Sequence, residues 1–441
     1  MTVPGPTSKP GPVATSDSPP ERSLARAFLS PSRRVKRGLL LSLLGLGLLS
    51  LVTTLTGSQE LTSSGTFSAA LRLAVPLLLT GMGGIFAERT GIINIGLEGM
   101  MILGTWFGAW GALTYGPWWG AVLGIVGGAI GGLLHAIATA TFGIDQIVSG
   151  VAINILAAGV ARFLSVIHFT PIGGGANQSP RIPGSVPRLT APVVAGGDIG
   201  GISTPNLFGA LEGTGIPVVR ELGSLGLAFT QNVSAFTVIA LLAVPAVWFL
   251  LWRTTFGLRL RSVGEHPVGA ESLGVNVYLM KYIGVTTSGA LAGLGGAILA
   301  IEAAGIYREG QTGGRGFIAL AAMIFGNWRP GGVLLGASLF GYANALELRS
   351  GESVHSLLLF VAIVLVIYGI TRFVQTRSAV TLSLLVLAGI VGWAFMVTES
   401  VPSQFVFFTP HLTTLVVLAF FSQRLRPPRA IGQPYRKGQL G

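Results

Sequence analysis

The sequence predicts an all-α fold, a polytopic membrane helix bundle of about 10–12 transmembrane segments. Three observations predict it. Of 441 residues, 50% are hydrophobic and only 10% are charged, whereas a soluble domain carries about 25% charged residues to keep its surface wet. The apolar runs are continuous, which argues against a β-barrel, whose strands alternate over about ten residues. Glycine fills 65 positions. In lipid, small residues let helix backbones approach closely, because packing replaces the hydrophobic effect as the driving force. Cysteine is absent, so disulfides, thiolate chemistry and Cys-ligated metals are excluded.

The elements follow in order. Residues 1–32, rich in Pro, Ser, Thr and Gly, have no apolar period and read as a disordered cytoplasmic tail. Arg33, Arg34, Lys36 and Arg37 precede the apolar stretch 38–57, which is long enough to span and is followed by no small-x-small cleavage site. A retained first helix with its N-terminus inside is expected. Further segments lie at 69–87, 92–113, 118–142, 146–168, 233–252, 282–304, 330–348, 354–373, 380–398 and 405–422, near the roughly 20 residues a crossing needs. Segment 315–327 is too short, and with 330–348, which follows Arg329-Pro330, it reads as a broken or re-entrant pair. The expected organisation is a tail over 1–32, a main transmembrane domain over 33–373, and an extra pair of segments with a basic cytoplasmic tail over 374–441.

One crossing per segment leaves Arg72, Arg162, Arg181, Arg188, Arg220, Arg308, Arg315 and Arg349 off the cytoplasmic side, with the rest of the 28 basic residues on it. This bias supports cytoplasmic N- and C-termini and accounts for the net charge of +12 without nucleic acid. Residues 169–232 form a long outer loop and 253–281 a long inner one. A short repeat relates Leu79-Thr-Gly81-Met-Gly83-Gly84 to Leu291-Ala-Gly293-Leu-Gly295-Gly296. It reads either as the trace of inverted halves, a transporter signature, or as chance between Gly-rich helices.

The chemistry concentrates in Glu88-Arg-Thr-Gly-Ile-Ile-Asn94-Ile-Gly96-Leu-Glu98-Gly99. Asn94 and Glu98 are four apart and share one face if helical, while Gly91, Gly96 and Gly99 let the backbone bend or unwind. Ionisable groups at membrane depth are costly and face the protein interior or a watery path. Asn94 and Glu98 are therefore candidates to line a solute pathway; the alternative is a structural turn capping helix ends. Asn154 is a candidate to bond a substrate, or else a neighbouring helix. Glu302, with Tyr307, Arg308 and Glu309 nearby, is a candidate for the outer end of the path. His135 reads as a bonded core histidine. In the inner loop, Gly264-Glu265-His266-Pro267-Val-Gly-Ala270-Glu271-Ser-Leu-Gly274 reads as a short isolated helix with Pro267 at its first position and Gly274 at its stop. Such a projecting helix suits docking to a cytosolic partner. No phosphate-binding loop, zinc motif or nucleophile elbow is present, so the chain reads as a non-enzyme.

These motifs resemble the permease family of branched-chain amino acid, ribose and nucleoside ABC importers, and within it the nucleoside or simple-sugar branch. The resemblance rests on Glu88–Met101, Gln146–Asn154, Thr255–Gly274 and Gly313–Pro330, and covers about residues 69–373. It implies a plasma-membrane subunit without cofactor, working with a cytosolic ATPase that binds ATP and docks on 264–274. It also implies a second related permease, as a heterodimer, and an extracellular or periplasmic substrate-binding protein. The alternatives are a sugar permease or an ion-coupled secondary transporter, which would have no ATPase to dock.

Overall fold

The computed structural model describes residues 33–199, 201–349, 351–376, 379–406 and 425–438. The expectations for 1–32 and for most of 405–422 fall outside them. The chain divides into two units, Met1–Gly47 and Leu48–Gly441. In the first, the described part is the beginning of helix α1 (Arg33–Thr56).

In the second unit the helices run α2 (Ser64–Glu88), α3 (Leu97–Tyr115), α4 (Pro117–Ala136, wound wider to Thr141) and α5 (Gln146–His168). Then come α6 (Leu207–Glu212), α7 (Val219–Thr230), α8 (Ala235–Arg253), α9 (Thr255–Glu265) and α10 (Pro267–Ser272). The last are α11 (Val277–Ile298, wound wider to Ala304), α12 (Arg315–Phe325), α13 (Pro330–Glu347), α14 (Gly351–Thr376), α15 (Ala379–Val397) and α16 (Ser403–Val406). Among the described residues, six helices are long and apolar enough to cross a membrane: α2, α4, α5, α8, α11 and α14. Helix α3 is instead an interior helix, with Leu97 to Ala112 largely buried by neighbouring helices.

Glycine sets the distances between α3, α4 and α11. A Cβ on Gly104 would stand 2.2 Å from the Gly293 carbonyl oxygen, and one on Gly128 would stand 2.2 Å from that of Gly289. A Cβ on Gly296 would stand 2.1 Å from the Met101 carbonyl oxygen. These backbones touch, and no other residue fits there. Helices α2 and α11 pack through the repeated glycines and run antiparallel, Gly83 facing Ser288 and Gly295 facing Pro76. The burial gradient places α2 centrally, with 78% of its apolar window buried, against 28% for α5 and 17% for α14. The outer faces of α5 and α14 are left for lipid or another subunit.

Two boundaries differ from expectation in an informative way. Segment 92–113 begins as helix only at Leu97, because 92–96 is unwound. Segment 282–304 begins a turn earlier, at Val277, where Asn276 accepts from Leu279 N and caps the helix. Segments 315–327 and 330–348 form a broken pair, as expected, of helices joined by a tight turn in which Asn327 (φ 55°) and Trp328 (φ 54°) are both left-handed. The long loop over 169–232 carries short elements of its own. Strands β1 (Arg188–Leu189), β2 (Gly197–Ile199), β3 (Ile202–Thr204) and β4 (Val233–Ser234) form two antiparallel pairs, β1 with β4 and β2 with β3.

That outer loop is held by Glu221, which is fully buried on α7. Its carboxylate accepts from Arg220 Nη2 at 2.6 Å, Ser50 Oγ at 2.9 Å, Thr62 Oγ1 at 3.3 Å and Val218 N at 2.7 Å. Burial alone would raise its pKa. The Arg220 guanidinium and the Ser50 hydroxyl outweigh that and hold it below the usual carboxylate value.

Candidate functional site

The segment between α2 and α3 is where the polar residues gather. Gly91 (φ 85°) turns the chain out of α2, and residues 92–94 then run unwound before Leu97 starts α3. Asn94 and Glu98 therefore do not share a helix face. Asn94 lies in the unwound stretch and Glu98 in the first turn of α3. The glycines flanking Asn94 permit the break, and the buried partners described below keep it open.

Asn94 is fully buried. Its Nδ2 donates to Ser288 Oγ of α11 at 2.9 Å and approaches Met100 Sδ at 3.4 Å. Its Oδ1 is buried and has no hydrogen-bond partner among the described residues. Glu98 is spent internally: Oε1 accepts from Gly314 N at 3.0 Å and Oε2 from Gly316 N at 2.6 Å. These are free amides at the N-terminus of α12, a natural seat for a carboxylate. Gly316 has no room for a side chain, since a Cβ would lie 2.5 Å from Glu98 Cα. Asn154 of α5 is a staple: Oδ1 accepts from Gly99 N at 2.7 Å and Nδ2 donates to Ile95 O at 3.1 Å. His135 likewise bonds Ser149 Oγ at 2.8 Å and Ile93 O at 3.1 Å, as expected of a core histidine. Asn94, Glu98 and Asn154 thus converge on residues 94–99.

Glu302 does not join them. It lies in the widened end of α11, and its Oε2 accepts from Ser234 Oγ at 2.7 Å, beside an outer cavity of about 460 Å³ to which Arg72, Arg188, Asn232 and Ser234 contribute. Nearby, Arg162 pairs with Glu309 at 3.2 Å. Tyr307 is buried in the same outer region, and burial pushes its phenol up to about 12.

Within residues 253–281 the short helix is as expected at its core and different at its start. Pro267 occupies the first turn of α10, His266 Nδ1 caps it by accepting from Gly269 N at 2.7 Å, and Gly274 (φ 80°) ends it. Ala270 is buried. Gly264 and Glu265, however, end a separate helix, α9, so α10 is not isolated. The helical spacing of Gly257, Leu260, Val263 and Gly264, the buried face of α9, was the missed signal. Gly264 presses on the Glu88–Gly91 stretch, where a Cβ would lie 2.2 Å from Arg89 O. Glu265 pairs with Arg89 at 3.7 Å. The Arg89 guanidinium also donates to Trp328 O at 3.2 Å and lies 5.6 Å from the Trp252 ring centroid. Trp328 Nε1 in turn donates to the buried Glu88 carboxylate at 2.5 Å. The stretch bearing Asn94 is therefore wired at its near end to α9 and to the α12–α13 turn. Trp328, Ser288, Gly314 and Glu221 are partners that sequence reasoning did not single out as site residues.

Compared with known proteins, the sequence of the chain matches one family. Residues 66–369 match the family described as branched-chain amino acid transport system / permease component. The guanosine ABC transporter permease protein NupQ of Bacillus subtilis is 33% identical over 378 residues, covering 84% of this chain and 96% of NupQ. The nucleoside ABC transporter permease protein NupC of Lactococcus lactis is 32% identical over 375 residues, 83% of this chain and 95% of NupC. The putative glucose ABC transporter permease protein TsgC13 of Haloferax volcanii is 32% identical over 381 residues, 85% of this chain and 98% of TsgC13. No solved structure matches the chain.

Proposed function

Because the chain belongs to the branched-chain amino acid transport system permease family, we propose that it translocates nucleosides and related purines as the permease subunit of an ATP-driven importer. The family makes it an integral plasma-membrane transport subunit that works with an ATPase and a substrate-binding protein. The nucleoside assignment is carried by one observation, the near full-length likeness to two permeases named for guanosine and nucleosides. The sugar reading has its own support in TsgC13.

In the proposed mechanism ATP is bound by the partner ATPase, which docks on α10. A second related permease completes the pathway against an outward apolar face such as that of α5. Both termini lie in the cytoplasm. Of the three residues at the unwound stretch, Asn94 is the pathway residue, because its Oδ1 is buried and unpartnered whereas Glu98 and Asn154 have their polar atoms engaged. Glu98 and Asn154 fix the backbone that carries it. Glu302 shapes the outer mouth. ATPase movement at α9 and α10 reaches Asn94 through Arg89, Glu265 and Gly264.

Competition tests the substrate class. Cells expressing the importer take up radiolabelled guanosine, and excess adenosine suppresses it while excess glucose does not. Suppression by glucose and not by adenosine moves the substrate to sugars.

A further inference from the structure

The C-terminal stretch 425–438 takes no part in the proposed mechanism, yet it is built into the cytoplasmic face. Ala430 N donates to Gly264 O at 2.8 Å, and Gly432 N donates to Gly91 O at 3.0 Å. Arg426 N donates to Asn327 Oδ1 at 2.9 Å, and Arg429 N reaches Glu265 Oε2 at 3.4 Å. Tyr435 OH donates to Glu271 Oε2 at 2.6 Å, and its ring packs 5.6 Å from Tyr278 and 5.5 Å from Lys281 Nζ. Pro428 and Ala430 are buried, and Leu425, Ile431 and Tyr435 pack on the main core. A trailing tail would leave its backbone to water; this one pairs its backbone, buries its apolar side chains and turns its charges outward.

What it adds to the surface is basic. Arg426, Arg429, Arg436 and Lys437 are exposed. The acidic groups of the same face are already engaged, Glu265 by Arg89 and Glu271 by Tyr435. Beside them Leu273 stands 85% exposed just after α10, more than any other large hydrophobic residue among those described.

We infer that residues 425–438 and α10 form one composite docking surface for the cytosolic ATPase, with Leu273 as the apolar anchor and Arg429, Arg436 and Lys437 as a basic rim. The partner this fits has an apolar pocket bordered by acidic side chains. The inference rests on the proposed reading of α10 as the ATPase contact. It also supplies a second line of coupling: an ATPase gripping both parts pulls on Gly91 through Gly432, next to the unwound stretch that holds Asn94. A rim of this kind sets association rate and salt dependence, and a central exposed leucine supplies the buried anchor. Anionic lipid headgroups are the other takers for exposed basic side chains. The bond between Tyr435 and α10 favours the protein partner, because it builds the rim around the anchor.

The test is a titration of the importer's purified ATPase subunit onto the full-length chain, assembled with its partner permease in nanodiscs of zwitterionic lipid. The triple variant R429A/R436A/K437A is expected to weaken binding about tenfold and to flatten its salt dependence. Tyr435→Phe keeps the charges and is expected to weaken binding several-fold by loosening the segment from α10. Thermal unfolding at the wild-type temperature confirms that each variant is folded. Wild-type affinity in the triple variant overturns the inference and leaves docking on α10 standing. Failure of the ATPase to bind the wild type overturns docking on α10 itself, and the inference with it. A deficit that appears only when anionic lipid is added gives the rim to the membrane and also overturns it.

Discussion

Glu98 and Asn94 are both buried polar residues, and their surroundings give them different work. Glu98 spends both oxygens on the free amides of α12. Glu98→Gln keeps the shape and loses the charge-assisted bonds, so it is expected to cost about 1–3 kcal/mol. Thermal unfolding in detergent checks this, and an unchanged midpoint would show that the carboxylate does not hold α12. Asn94 keeps an acceptor in reserve. Glu221 allows a prediction about acid. Its pKa is held below the ordinary carboxylate value, so its contribution is present above the unfolded-state pKa of about 4.3 and is lost as pH falls through the lower folded-state value. Proteolysis of the outer loop should accelerate only in that acid range, and Glu221→Gln should show the accelerated rate at neutral pH as well. At this scale the sequence marked Asn94, Glu98 and Asn154 by their placement in or beside apolar runs. Their partners were out of reach, because Gly314, Ser288 and Gly99 are joined to them by tertiary contact and not by spacing. The four-residue interval of Asn94 and Glu98 suggested a shared face only because the unwinding at 92–96 is imposed by packing.

Among the elements, the glycine-lined contacts of α3, α4 and α11 decide stability. A methyl group on Gly293 would meet the Gly124 carbonyl oxygen at 2.2 Å, so Gly293→Ala forces helices apart and is expected to cost at least about 1–3 kcal/mol. Gly159 on α5 has nothing within 4 Å, and Gly159→Ala should be neutral or stabilise by about 0.5–1 kcal/mol. Equal effects in unfolding measurements would show that composition, not contact, governs these glycines. The sequence disclosed this bundle through its glycine count, and the α10 helix through Pro267 and Gly274. It left the outer loop unread because its strands are two or three residues long, too short for a period. It treated the last segment as a basic tail, since the bonds of Ala430 and Gly432 run between backbones and leave no mark in residue type.

For the whole molecule, the fold class was legible because continuous apolar runs and scarce charge admit few other architectures. The substrate was not, since the aromatic and polar groups that would read a base are not marked by any local pattern. In the proposed mechanism, ATP hydrolysed by a partner drives solute through this chain. The most direct test is uptake of radiolabelled guanosine into cells with and without the chain, repeated after ATP depletion with the proton gradient held. Uptake that requires both the chain and ATP is the predicted result. Uptake that survives ATP loss and collapses with the gradient would contradict it and make the chain an ion-coupled carrier.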